Sequence, residues 1–270
     1  MTRLVGAAIG AILLAASASA QAPADSVEIG GWTLPEGTVV TTTSNMTYKA
    51  TMSVGGDEAP YRLATRDSLT TRIDRLRDGR LHRAVQQTAL DETTVQMAGR
   101  DLPPQSSPLL GRWVTVERTE DGWTRSAPGW TPNREQRDAL AAPVSLDDDE
   151  YPLRMAVGQT VRVSQDAIGR VYAGASDALH RLTVRLDSVG TVGGAPVAYL
   201  TQDVDVTVED DEIVTRMQMR ARIVRRLDWR LDVETHWTGR MTTTLDEDFV
   251  IDGYADHRME QSAAPPEFGR

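Results

Sequence analysis

The chain offers few side chains whose type and spacing could perform chemistry. Nucleophilic catalysis needs a hydroxyl or thiol beside a base, but the sequence has no cysteine, no Gly-x-Ser-x-Gly segment and no Ser-x-x-Lys segment. The four histidines are far apart, and none has a second histidine three to five residues away: His82, His180, His236 and His257. A zinc site would therefore have to be assembled across strands. We find no histidine–carboxylate–hydroxyl set, and so predict no catalytic centre, no metal and no cofactor.

Carboxylates are more abundant, in three runs and one close pair. The runs are 147–150, 209–212 and 246–248. They offer the oxygen ligands that calcium prefers, but the Asp-x-Asp-x-Asp-Gly order of a calcium loop is missing, so solvated turns are the preferred interpretation. Asp203 and Asp205 share one face of a predicted strand about 7 Å apart, within the range of glycoside hydrolases. Arginines predicted across from them favour a ladder of ion pairs instead.

The composition excludes several classes of protein. The 270 residues carry a formal net charge of −10, so bulk electrostatics does not draw the chain to nucleic acid or to anionic membranes. The absence of cysteine excludes disulfides, thiol catalysis and cysteine-ligated zinc, so the fold must be held by its own core.

The first twenty residues predict export. Arg3 precedes an apolar run from Val5 to Ala16, and Ala18-Ser19-Ala20 has the small residues that signal peptidase recognises. The run is too short to span a bilayer, which needs about twenty residues. We expect cleavage after Ala20 and a periplasmic or secreted protein with no membrane span.

Apolar and polar residues alternate along most of the chain after Gly37, which is typical of half-buried strands. The clearest hairpin joins 197–208 to 213–223. A turn at Asp210-Asp211 places Val204 opposite Met217 on an apolar face, and Asp205 opposite Arg216 on a polar face. Further hairpins are predicted at Gly193-Gly194, at Asp121-Gly122, and around a three-residue loop, Asp78 to Arg80, which would place Ile73 opposite Val85.

This pattern predicts an all-β fold of long antiparallel strands in a strongly curved sheet or half-barrel, with two similar halves. A short helix over Asn133–Ala142 is predicted between the halves, where Pro132 favours a helix start. The expected segments are a signal peptide (1–20), a lead-in (21–36), a first β-rich half (37–127), a linker with the helix (128–152), a second β-rich half (153–261) and a disordered tail (262–270).

Three segments resemble a broad group of exported bacterial β-rich proteins of undescribed function. They are Pro108–Val114 followed by Asp121-Gly122-Trp123, then Pro152–Thr160, and the closing strand Gly239–Ser262. More remotely, such chains are similar to the curved half-barrel carriers of lipoproteins in the bacterial envelope. The resemblance implies a fold and no activity.

The alternation also predicts a binding surface. Trp229 and Trp237 share the apolar face of one predicted strand, and Met217 and Met219 lie on the apolar face of another. If the curved sheet is incompletely covered, this face forms a groove for a lipid or another apolar small molecule. The leading hypothesis is a non-enzymatic protein that binds an apolar or amphiphilic ligand, or that serves a structural role with an envelope protein as its partner. The alternatives are an exported hydrolase acting on polysaccharide and a module that pairs through a sheet edge.

Overall fold

The computed structural model describes residues 26–31, 33–78, 80–120, 122–142, 144, 146, 154–165, 168, 181–210, 213–246 and 248–266. The predicted signal peptide with its cleavage site, the acidic run 147–150 and His180 lie outside these residues. No helix in the described part of the chain is long and apolar enough to cross a membrane.

Long strands dominate the described residues. In chain order the elements are β1 (Ser26–Glu28), β2 (Val39–Val54), β3 (Asp57–Arg77), β4 (Arg80–Met97), β5 (Arg100–Asp101), β6 (Trp113–Thr119), β7 (Gly122–Ser126), α1 (Arg134–Ala141), β8 (Arg154–Ala156), β9 (Thr160–Arg162), β10 (Arg181–Val192), β11 (Ala195–Asp210), β12 (Ile213–Arg226), β13 (Leu231–Asp246) and β14 (Phe249–Ala264). A strand of 16 residues, such as β2, is about 53 Å long at 3.3 Å per residue.

Twelve of these strands form one antiparallel sheet. Its order is β7-β6-β4-β3-β2-β14-β13-β12-β11-β10-β9, with β5 paired to β4, and a separate two-stranded sheet joins β1 to β8. The sheet is curved and open, which confirms the predicted all-β fold. The sequence segments on either side of α1 meet where β14 pairs with β2 from Phe249↔Val54 to Ala264↔Val39. The two predicted halves therefore share a continuous sheet.

The β11–β12 hairpin keeps the predicted faces but not the predicted register. Val204 lies opposite Met219, and the last pair is Asp210↔Ile213, so the turn lies one residue later than predicted. The predicted pairing of Val204 with Met217 is wrong. A shift of two residues in pairing leaves every side chain on its face, whereas a shift of one would have moved the apolar set into water. The hydrophobic pattern therefore determines which side chains lie on each face of the sheet. It does not distinguish registers that differ by an even number of residues.

Turn geometry decides the other hairpins. The β3–β4 hairpin closes at Arg77↔Arg80 with a two-residue loop, and Ile73 lies opposite Ala84, so the predicted three-residue loop is wrong. Register shifts lie close to this loop, between Ile73 and Leu76, and further along, between Ser68 and Leu69. The positive φ of Asp78, 52°, suits the turns that match the twist of two-stranded hairpins. The pairs Val192↔Ala195 and Thr119↔Gly122 confirm the other two predicted hairpins.

Helix α1 confirms the predicted linker helix. Asn133 caps its first turn: the side chain accepts from the Gln136 backbone N–H at 2.9 Å, and the Gln136 side chain accepts from the Asn133 N–H at 3.0 Å. This reciprocal pair satisfies two backbone donors that a helix start leaves free. The apolar side of the helix, Ala139 and Leu140, packs against a small core cluster that includes Val114 and Val116.

The hydrophobic core lies on one face of the sheet, which we call the inner face. A larger cluster covers the inner face of β10, β11 and β12, under the segment that contains Ile29 and Met155. A second cluster holds Leu34 against Ile73 and neighbouring residues of β2, β3, β4 and β13. The fully buried side chains of the larger cluster include Leu182, Val184, Leu186, Leu200, Val206, Ala221 and Ile223. Each fully buried valine, leucine or isoleucine among them stabilises the fold by about 1.5–3 kcal/mol.

The last strand is longer than the sequence suggested. Strand β14 continues through Ser262 to Ala264, and Ala263 lies opposite Val40 on the inner face, where it packs against the second core cluster. The prediction of a disordered tail from Ser262 is therefore wrong for the first three residues of that segment. Pairing with β2 extends the strand there, from Ser262↔Thr41 to Ala264↔Val39.

Candidate functional site

Three of the four predicted binding residues come together on the inner face. Met217 lies opposite Met241, Met219 lies opposite Gly239, and Trp237 lies opposite Ala221. Met217, Met219 and Trp237 are partly buried and pack against the larger core cluster. They therefore form the border between the closed core and the part of the inner face that is less completely covered.

Trp229 lies apart from this group. It belongs to the four-residue turn between β12 and β13, so the prediction that it shares a strand face with Trp237 is wrong. The guanidinium of Arg226 stacks on its ring with the central carbon 3.6 Å from the ring centroid, and the ring packs against the second core cluster. The apolar residues alternate without a break from Leu227 to Trp237, so the sequence pattern did not indicate this turn. The turn is made without glycine, because Arg230 adopts the left-handed conformation with a φ of 50°.

Methionines continue the surface across the middle of the sheet. In one row Met46 of β2 lies opposite His257 of β14, and His257 lies opposite Trp237 of β13. We define the methionine strip as these partly exposed inner-face residues: Met46, Met217, Met219, Trp237, Met241 and Met259. Unbranched thioether side chains adapt to irregular apolar surfaces more readily than branched ones do. The strip is therefore a pliable apolar surface with an aromatic ring at its centre.

A buried tyrosine crosses the sheet beside this strip. Tyr48 of β2 is 2% exposed, and its hydroxyl donates to the backbone carbonyl of Met241 at 2.7 Å. To reach β13 the phenol must pass over β14 beside Gly253, which pairs with both Met241 and Ala50. Burial is the main cause that raises the pKa of Tyr48 to about 12.

The same face brings a hydroxyl, an imidazole and a carboxylate together. The Oγ of Ser44 and the Nε2 of His257 are hydrogen-bonded at 2.7 Å, and Asp67 of β3 lies directly opposite Ser44 in the ladder. Burial lowers the pKa of His257, and the nearby charges of Asp67 and Asp256 offset only part of that shift. The imidazole is therefore neutral near pH 7. This group was missed from the sequence, because 213 residues separate Ser44 from His257.

The geometry around Ser44 does not support acyl transfer. Such a reaction needs free backbone or side-chain donors aimed at the developing oxyanion. Ser44 lies within β2, paired on one side with Met259 of β14 and on the other with Asp67 of β3. In a strand with partners on both sides the neighbouring N–H groups are engaged in the ladders. The Ser44–His257 pair is better suited to holding a polar group at the edge of an apolar surface.

We expect His257 to make the fold less stable in weak acid. Because its folded pKa is lowered, the unfolded chain binds a proton first as the pH falls below about 6.5, and the free energy of unfolding decreases down to the folded pKa. Urea unfolding at pH 7.5 and 5.5 should show a smaller loss for His257→Gln than for the native chain. His236→Gln, which removes an exposed partner of Asp256, is the control and should retain the native loss. If the native chain and His257→Gln lost equal amounts of unfolding free energy between pH 7.5 and 5.5, His257 would not be the cause of the acid sensitivity.

The opposite, outer face carries ion pairs. Asp203 pairs with Arg220 at 2.6 Å. Asp205 lies directly opposite Gln218 rather than Arg216, but it contacts Arg216 diagonally at 3.4 Å. These contacts support the interpretation of Asp203 and Asp205 as members of an ion-pair ladder and not as a hydrolytic pair, since both carboxylates have arginine partners. Within the described residues, no three histidine or acidic side chains form a group that could hold a metal ion.

Comparisons with known proteins relate the chain to others by architecture. No protein-family model matches it, and no curated protein matches it. A structure of lipovitellin, described by its lipid–protein interactions, aligns with 88% of this chain at 10% identity and a TM-score of 0.44, and the chain spans only 26% of that protein. An outer-membrane channel from Pseudomonas putida F1 aligns with 86% of this chain and 97% of its own length, at 9% identity and a TM-score of 0.27.

A third similar structure is an exported protein with a YmcC-like fold from Bacteroides fragilis NCTC 9343. It aligns with 84% of this chain and 97% of its own length, at 10% identity and a TM-score of 0.24. One of these bacterial neighbours is an exported protein, the kind of protein that the sequence resembles. Similarity at this level indicates neither an activity nor a ligand.

Proposed function

We propose that the inner face binds an apolar or amphiphilic small molecule, and that the methionine strip is the contact surface. The observation that carries this proposal is the partial exposure of the strip between two regions where the same face is closed by core. A contiguous apolar surface left in contact with water commonly marks a binding site.

The distribution of covering segments supports this position for the ligand. The segment around Ile29 and Met155 covers the inner face of β10, β11 and β12, and α1 covers β6 and β7. Among the described helices and strands, β2, β13 and β14 make their principal contacts with their neighbours in the sheet, and Leu34 packs on them only in the second core cluster, away from the strip. A ligand that lay across these three strands and the neighbouring part of β12 that carries Met217 and Met219 would bury the strip, as the covering segments bury the rest of the face.

Polar groups beside the strip favour an amphiphile over a plain hydrocarbon. Ser44 is 8% exposed and is hydrogen-bonded to a neutral His257. Both side chains can exchange donor and acceptor roles, so this pair can bind a hydroxyl or carbonyl of a headgroup. Apolar sites with a few fixed polar groups are the usual form of small-molecule sites. The expected export of the chain places such binding in the periplasm or outside the cell.

A fluorescent fatty-acid analogue tests the proposal. The analogue should bind the mature protein saturably and quench tryptophan emission, and Trp237→Ala should weaken binding by about tenfold or more, because a large aromatic contact is lost. Met241→Ser, at the strip beside Met217, is a second variant in case Trp237→Ala does not fold.

Trp229→Ala is the matched control, since it removes the same side chain from a turn outside the strip. Its affinity for the analogue should stay within about twofold of the native value when the fold is intact by circular dichroism. Native affinity in both strip variants, or an equal loss in Trp229→Ala, would argue against binding at the strip.

A further inference from the structure

The outer face holds a groove that the proposed function does not use. Its volume is about 440 Å³, and strands β9 to β12 form its floor. Four arginines line it, with one carboxylate: Arg181, Arg185, Arg220, Arg222 and Asp203. This groove lies on the side of the sheet opposite the methionine strip, so a ligand there would not compete with one on the inner face.

The strand register explains why the arginines converge. Thr201 of β11 lies between Arg185 of β10 and Arg222 of β12 in one cross-strand row. Adjacent strands are about 4.8 Å apart, which puts the Cα atoms of the two arginines roughly 10 Å apart. In the neighbouring row, Thr183, Asp203 and Arg220 follow the same order. Arg181 belongs to a third row, opposite Asp205. The long guanidinium side chains of all three rows line the groove and can extend toward a common point above Thr201 and Asp203.

The groove carries more positive charge than its own carboxylate neutralises. Asp203 accepts a hydrogen bond from Arg220 at 2.6 Å, and Arg185 pairs with Asp187 at 2.5 Å. Arg181 and Arg222 form no ion pair with any residue in the described part of the chain.

Within the described residues, two guanidiniums without an ion pair are thus held beside two paired ones, in a chain whose overall charge is −10. Asp205 lies opposite Arg181 in the ladder, but its carboxylate contacts Arg216. Like charges on neighbouring strands oppose folding. A bound anion would relieve this repulsion.

We propose that this groove binds a phosphoryl group. A phosphoryl group with two negative charges matches the two guanidiniums of Arg181 and Arg222, and its oxygens accept the paired N–H donors that arginine presents. The groove is larger than free phosphate requires and falls within the size of small-molecule sites. The ligand is therefore a phosphorylated molecule, either soluble or displayed by a lipid headgroup.

Two probes separate these sources. Calorimetry of the mature protein with inorganic pyrophosphate at 50 mM NaCl should show saturable binding that weakens at 500 mM NaCl, because salt screens exposed charges. If the headgroup is the ligand, the protein should co-sediment with phosphatidylcholine vesicles that contain phosphatidic acid. It should not co-sediment with vesicles of pure phosphatidylcholine. Binding of pyrophosphate without vesicle retention identifies a soluble phosphorylated ligand.

The variants locate the site. Arg222→Gln should weaken binding of pyrophosphate or of the phosphatidic acid vesicles, whichever binds, by about tenfold. Arg222→Lys should bind more tightly than Arg222→Gln but less tightly than the native chain, because lysine keeps the charge but loses bidentate geometry. Arg240→Gln is the control: it removes the same charge from the outer face of β13, where Arg240 pairs with Asp252 at 2.5 Å. The proposal is overturned if neither probe binds at 50 mM NaCl, or if Arg240→Gln weakens binding as much as Arg222→Gln does.

Discussion

Gly253→Ala is expected to lower the free energy of unfolding by about 3 kcal/mol or more, although it adds a single methyl group. A Cβ at this position would lie 2.2 Å from the backbone oxygen of Lys49 and 2.5 Å from the Cα of Ala50. These neighbours are backbone atoms of a paired strand and cannot rotate away, so β14 and β2 would have to separate locally. Their separation would also displace Tyr48, whose phenol passes this glycine.

Gly190→Ala provides the control for this prediction. Its added Cβ would meet only the Cε2 atom of the Tyr199 ring at 3.2 Å, and a side chain can move where a backbone cannot. We expect a change within about 1 kcal/mol there. Urea unfolding of both variants by far-UV circular dichroism measures the difference. A Gly253→Ala protein as stable as Gly190→Ala would mean that β14 and β2 are not in close contact at this glycine.

The faces of the sheet could be predicted from the sequence, and much of the register could not. Alternation assigned Val204 and Met217 to the apolar side and Asp205 and Arg216 to the polar side, and the structure agrees. The same alternation is satisfied when the pairing of β11 with β12 shifts by any even number of residues. The register therefore depends on the position of the turn, and the acidic run 209–212 allows several turns of similar quality. A local pattern with period two contains no information that separates them.

The position of Trp229 shows a second limit of alternation. Leu227, Trp229 and Leu231 continue the apolar series of β13 in sequence, yet a tight turn occupies 227–230 and β13 begins at Leu231. The signal for this turn is weak, because neither glycine nor proline occurs in it and Arg230 supplies the left-handed conformation. Asp228 is the residue that favours a turn there. The turn also gives Trp229 a stacking partner, Arg226, that a strand interior would not.

Only the apolar component of the inner-face site could be predicted from the sequence. Met217 and Met219 belong to a strand whose face is evident from its neighbours, so the apolar component could be predicted. Ser44, Asp67 and His257 meet because β2, the first long strand, pairs with β14, the last one. No local signal specifies a pairing between such distant segments, since either strand could equally have formed a sheet edge. The polar component of the site depends on this one contact.

Asp232→Asn is expected to be the most damaging change in charge, with a loss of about 3–5 kcal/mol in the free energy of unfolding. Asp232 and Arg225 face each other at the register shift between β12 and β13, and their side chains are 13% and 4% exposed. The guanidinium donates to the Asp232 carboxylate at 2.8 Å and to the backbone carbonyl of Ile29 at 2.7 Å. An amide at position 232 would replace the carboxylate that faces this buried guanidinium with a neutral group.

The consequence should extend to the N-terminal segment. Arg225 binds the carbonyl of Ile29, and Ile29 belongs to the larger core cluster. A guanidinium that had lost the Asp232 carboxylate and turned toward water would therefore release this segment from the inner face. Hydrogen exchange over 26–31 should become faster in Asp232→Asn. Asp205→Asn, which breaks an exposed pair with Arg216, should cost under about 1 kcal/mol and leave that exchange unchanged. Equal costs for the two variants would show that Arg225 is solvated in the folded protein, and the proposed anchoring of the N-terminal segment would then be lost.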